Sequence, residues 1–207
     1  ASDWKCNAIT EVPIDERIAA CTALLESGRF GRQAELRAHF NRAAAHYNKG
    51  EFERAVADYT AVIGVYPKNI YAYRSRAAAY TQLGDYDHAI SDHSTAVQLN
   101  PRDRNAYYGR GFAYHRSGDY DRAIADYTEA ILLRQRNPDA SSEAAGMPQA
   151  KLSPDGTAEL DANDLRLLVA RGAAYDNKGD PERAISDFDQ AIRLNPKDVW
   201  AYRRRAA

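Results

Sequence analysis

The chain has 207 residues, 44% of them hydrophobic and 28% charged, a composition that suits a globular protein with material for one repeat domain. Its 28 basic and 29 acidic residues leave a formal net charge of −1, so no global field steers it to nucleic acid or to an anionic membrane. No stretch approaches the roughly 18 consecutive apolar residues of a membrane span.

Residues 1–12 lack helical periodicity, whereas 13–25 have the apolar spacing of a helix that starts at Pro13. In that stretch Cys21 takes the place that Tyr59 holds in the later run 53–60. Residues 1–35 therefore read as an irregular segment followed by a capping helix, half a unit that covers an apolar end. Cys6 and Cys21, the only cysteines, both fall here. An even count, close together and outside the regular pattern, predicts a disulfide; two unrelated, partly buried thiols are the alternative. The chain opens on Ala without Met, as a mature exported protein would after signal cleavage and as a trimmed fragment would too.

From residue 36 a clock sets in. Gly50, Gly84 and Gly118 lie 34 residues apart, and Gly179 follows after 61, one period plus an insertion of 27. Pro67, Pro101 and Pro196 keep the same time. The units run 36–69, 70–103, 104–137 and 165–198, and 199–207 restarts a fifth or supplies a C-terminal cap helix. Tyr73, Arg76, Ala77 and Tyr80, then Ala89, Ile90, His93, Ala96 and Val97, have the three-and-four spacing of helices with one buried face. Gly followed by an acid (Gly84-Asp85, Gly118-Asp119, Gly179-Asp180) ends one helix and caps the next. Residues 138–164, rich in Ala, Ser, Pro, Gly and Asp, have little to bury and read as an exposed connection.

The order Tyr73-x2-Arg76-Ala77-x2-Tyr80, then Ala89-x3-His93, then Pro101 resembles the tetratricopeptide repeat, as does Tyr107-x2-Arg110-Gly111-x2-Tyr114 followed by Ala123-x3-Tyr127. Two departures stand out: Arg42, Arg76, Arg110, Arg171 and Arg205 occupy the place of the family's Leu, and Gln135 replaces a closing Pro. The resemblance implies an all-α fold, a right-handed α-solenoid of antiparallel helix pairs with a concave binding face. The N-terminal segment further resembles that of secreted bacterial members. This implies a periplasmic or secreted location, with the cytoplasm as the alternative.

Arg at the seventh place is matched in every unit by Asp at the twenty-third: Asp58, Asp92, Asp126 and Asp187. A charge recurring beside a packed seam needs a partner, which points to a ladder of structural ion pairs rather than a row of arginines facing a ligand. In this family the inward places of the first helices face the ligand. Here they carry Arg37, Phe40, Tyr47, Tyr71, Arg74, Tyr108, Phe112, Arg116, Arg166 and Trp200. Rings interleaved with Arg suit an extended peptide or a partner helix. The family's clamp for a chaperone's terminal carboxylate is missing: Phe40 and Ala44 replace its Lys and Asn, and a shift by one unit meets Arg74, then Ala78 and Gly109.

Catalysis finds no support. His39 and His46 are seven apart and His88 and His93 five apart, not the four of a helical metal pair, and no phosphate loop or nucleophile elbow occurs. His93 reads as a packed residue, and Arg203-Arg204-Arg205 as a solvated helix face. The sequence thus predicts a non-catalytic module without cofactor or metal that binds a protein or peptide and neither nucleic acid nor membrane. The alternative is an assembly subunit forming a homo-oligomer through its C-terminal edge.

Overall fold

Two apolar stripes separated by a glycine make each period fold as a pair of helices. Residues 3–7, 12–29, 31–136, 162–197 and 199–205 are described in this computed structural model, and all their regular structure is helical. The chain divides into two compact units, Ala1–Pro101 and Arg102–Ala207. The first holds α1 (Asp3–Asn7), α2 (Ile14–Ser27), α3 (Arg32–Lys49), α4 (Phe52–Val65), α5 (Ile70–Leu83) and α6 (Tyr86–Leu99). The second holds α7 (Arg104–Ser117), α8 (Tyr120–Arg136), α9 (Ala162–Lys178), α10 (Pro181–Leu194) and α11 (Val199–Arg205).

The turn inside a pair is set by two residues. Gly84 adopts φ 78°, a left-handed conformation that a Cβ would strain. Its N–H and that of Asp85 then close on Thr81 O at 3.2 Å and Tyr80 O at 2.9 Å. The Asp85 carboxylate accepts from the His88 amide at 3.2 Å and so caps α6. Asp119 and Asp180 do the same for Arg122 and Arg183.

Small residues let the helices of a pair approach, and one ring fills the space beside them. Ala55, Ala89, Ala123 and Ala184 are buried, next to Tyr59, His93, Tyr127 and Phe188. Burying a side chain such as Phe188 stabilises by about 1.5–3 kcal/mol. Its fit is tight: a Cβ on Gly172 would lie 2.7 Å from the Phe188 ring. Within the first unit α2 packs on α3 and α4 on α5, and within the second α8 packs on α9. The second helices α2, α4 and α8 therefore also support the first helix that follows them. First helices α3 and α5 touch, as do α7 and α9.

The structure departs from the sequence reading at two places. Asp3–Asn7, expected to be irregular, forms α1. Five residues are too few for periodicity to register, and the helix is held from outside. Cys6 is joined to Cys21 by a disulfide, Lys5 pairs with Glu16 at 2.9 Å, and Asn41 donates to Asn7 at 3.1 Å. The second departure is at the end of the insertion. Residues 138–161 lie outside the described residues, but Ala162–Asp164 belong to α9, and Asp164 is wholly buried. It accepts from Arg104 Nη2 and lies 3.8 Å from Arg134 Nε. A low-apolar composition thus concealed an acid buried by charge pairing.

Candidate functional site

Four of the recurring arginines, Arg42, Arg76, Arg110 and Arg171, do not face outward; they form the seam. Arg42 donates through Nε and Nη2 to Asp58 Oδ2 and Oδ1 at 2.8 and 2.7 Å. Arg76 forks onto Asp92 at 2.7 and 2.8 Å, and Arg110 onto Asp126 at 2.8 and 2.7 Å. Arg171 forks onto Asp187 at 2.8 and 2.7 Å. All four carboxylates are buried, and the planar guanidinium satisfies both oxygens at once.

A further N–H leaves the pair. Arg42 Nη1 donates to the Thr22 hydroxyl at 3.0 Å, Arg76 Nη1 to Thr60 at 2.9 Å and Arg171 Nη1 to Thr128 at 3.1 Å. Each threonine lies on the second helix of the preceding pair, so the arginine ties successive pairs together. Sequence reasoning missed these threonines, although Thr60 and Thr128 share one phase of the repeat. Arg205 follows the same direction, pairing with Asp189 at 2.8 Å.

His39 Nδ1 also lies 2.8 Å from Asp58 Oδ1. Burial works against the charge on Asp58, but hydrogen bonds from Arg42 and His39 outweigh it and hold the carboxyl below its usual range. Near the end of α3, hydrogen bonds from His46, then Lys49 and Arg54, lower the Glu51 pKa to about 2.

The inward places of the first helices differ in depth. In the first unit Phe40 is half-buried, edge-on to Tyr59 with centroids 5.4 Å apart, and Tyr47 sits likewise on Phe52 at 5.3 Å. Both rings pack in the core as much as they face outward. Arg37 is exposed, and Tyr71 is 61% exposed with the Arg74 guanidinium 5.9 Å from its ring. In the second unit Tyr108 packs 5.9 Å from buried Tyr127 and carries Arg166 at 5.2 Å. Phe112 carries Arg116 at 5.9 Å. His115 Nε2 and the Asn177 amide are 2.8 Å apart; burial, then Arg204 and Arg116, push the His115 pKa down. The Trp200 side chain lies outside the described residues.

These faces offer ring surface and guanidinium groups. Among the described residues no group of three His, Cys, Asp or Glu side chains could hold a metal ion, and no helix is long and apolar enough to cross a membrane.

Sequence patterns described as tetratricopeptide repeat match residues 40–93, 105–137 and 166–198, and one described as TPR repeat matches 77–118. Together they span well over half of the chain. No curated protein matches the sequence. Among solved structures, a thermophilic TPR protein of Thermus thermophilus superposes with TM-score 0.63 at 18% identity, over 93% of this chain and 89% of its own. MamA of Desulfovibrio magneticus RS-1 gives TM-score 0.68 at 17% identity over 90% and 88%. YrrB, a TPR protein with an unusual peptide-binding site, gives 0.67 at 15% identity over 94% and 84%.

Proposed function

Because this chain belongs to the tetratricopeptide repeat family, whose members serve as protein-interaction modules, we propose that it holds an extended peptide or a partner's helix on its first-helix faces. The carrying observation is that ring–guanidinium pairs, Arg74 on Tyr71, Arg166 on Tyr108 and Arg116 on Phe112, involve arginines other than the four that fork onto the seam carboxylates. Tyr and Arg are also the residue types that dominate binding energy at interfaces. The peptide-binding site of the similar YrrB structure agrees with such a role. The buried disulfide favours an oxidising compartment, the periplasm or the exterior of a cell. No catalytic role is proposed.

The test is affinity capture with identification of the bound protein by mass spectrometry, repeated with Arg74→Ala and Tyr108→Ala. Each variant should weaken capture by about 1–3 kcal/mol with helicity intact. A partner that binds both variants as it binds the parent chain refutes the assignment.

The second reading, an assembly subunit, draws on α11, where Val199 and Tyr202 are exposed. It requires concentration-dependent self-association that Tyr202→Ser abolishes. A monomer at all concentrations excludes it.

A further inference from the structure

Exposed large apolar side chains gather on one turn of the first unit. Val65, Tyr66 and Tyr71 flank the connection from α4 to α5 and are all exposed. Tyr66, Pro67, Lys68, Asn69, Ile70 and Tyr71 line a concavity of about 600 Å3 with mainly apolar walls.

The repeat supplies its own control. One period later the same turn reads Asn100-Pro101-Arg102-Asp103-Arg104-Asn105, and regular helices flank it as well. Asn100 and Asn105 stand where Tyr66 and Tyr71 stand, so the turn forms without rings at either place. Exposed rings that the fold does not require mark a contact surface.

Each ring has one polar neighbour. The Tyr66 hydroxyl lies 3.5 Å from Gln33 Oε1, and Arg74 sits by Tyr71. Tyr rings have few rotatable bonds and so lose little freedom on binding. The Asn69 side chain is committed to capping α5, accepting from the Ala72 amide at 3.0 Å. Lys68, exposed, is the one charged residue in the lining, and no carboxylate opposes it there. A single ammonium is too little for a nucleic-acid backbone, which needs many neutralised phosphates. It suits one carboxylate.

We propose that this turn is a docking subsite for an extended peptide segment of a partner, carrying an aromatic or large aliphatic side chain next to a carboxylate. The apolar side chain lies between Tyr66 and Tyr71 over Pro67 and Ile70, and the carboxylate meets the Lys68 ammonium. The inference rests on the interaction-module reading and narrows the partner's chemistry.

The experiment titrates the full chain, observed by amide NMR, with acetyl-Ser-Phe-Asp-amide. Acetyl-Ser-Phe-Lys-amide and acetyl-Ser-Ser-Asp-amide serve as comparisons. The first peptide should shift the amides of residues 66–71 saturably, and each comparison should bind about tenfold more weakly. Tyr66→Asn and Tyr71→Asn import the residues of the neighbouring turn, so they keep the helices while losing binding by a similar factor. Lys68→Glu should reverse the preference toward the Lys peptide. Equal binding of the three peptides, no saturable shift, or shifts indifferent to Tyr66→Asn overturns the proposal. Self-association abolished by Tyr66→Asn would place a second copy in the cleft and overturn it as well. A captured partner that needs Arg74 or Tyr108 but ignores Tyr66→Asn removes this subsite and leaves the module standing.

Discussion

Arg171 Nη1 donates to the Thr128 hydroxyl at 3.1 Å across 43 residues of sequence, whereas Arg76 reaches Thr60 at 2.9 Å across 16. The two junctions are the same although one carries the 27-residue insertion. Loop length enters stability only logarithmically, so the register after the insertion is set by the packed helices and their polar contacts.

The two partners of Arg171 should therefore separate by size. Thr128→Val removes the hydrogen bond that Arg171 Nη1 makes outside its fork and should cost about 0.5–1.5 kcal/mol. Asp187→Ala takes the carboxylate from a buried pair and should cost about 3–5 kcal/mol. Urea unfolding of both variants provides the comparison. Equal, small losses would show that water screens the pair.

Asp164 is wholly buried and serves Arg104 and Arg134 together. Asp164→Ala should destabilise the chain by about 3–5 kcal/mol because it strips a carboxylate from two guanidinium groups. Asp121→Ala, which removes the partner of exposed Lys178, should shift stability by less than about 1 kcal/mol. Thermal unfolding that ranks the two alike would contradict the buried role of Asp164.

The Tyr59 hydroxyl is hydrogen-bonded to Ser75, but the Tyr127 hydroxyl is buried and has no hydrogen-bond partner among the described residues. In the repeat register Ala170 occupies the place of Ser75. Burial, then Tyr108 and Asp126, push the Tyr127 pKa up. Ala170→Ser should restore the bond and add about 0.5–1.5 kcal/mol, while Tyr127→Phe should be neutral or stabilising. Tyr59→Phe should destabilise. A gain from Tyr59→Phe in denaturant titrations would count against this account.

The acid limb of stability should carry the signature of Asp58. Its folded pKa lies below its unfolded value, so the folded state favours the charged form. The contribution is complete above the unfolded value of about 3.9 and is lost as pH falls through the lower folded value. Asp58→Asn should flatten the fall in stability below about pH 4. Glu51, with a pKa of about 2, acts in the same direction. An unchanged slope for Asp58→Asn would remove Asp58 from the explanation.

The sequence made the helix pairs legible because their signals repeat. Gly84-Asp85 states both a stop and a cap, and Arg76 recurs in step with Asp92. Depth was harder to read. Phe40 reads as an inward residue of a first helix, yet its ring packs edge-on against Tyr59, which no spacing reports. The helix at Asp3–Asn7 is too short to show a period, and the burial of Asp164 depends on Arg104 and Arg134, which come 60 and 30 residues earlier in the chain. Tyr66 could have been found from its own register, since Asn100 and Asn195 stand at its place.

The Arg–Asp–Thr junction also bears on how such a chain can grow. The stretch from Ile70 carries Arg76 and its own Asp92, and it is received by Thr60 behind it. In-frame duplication of one full period delivers a complete set of connectors, so the longer protein strands no charge. Loss of a fraction of a period would part an arginine from its acid. Whole periods therefore keep each such arginine with its acid, independently of any ligand.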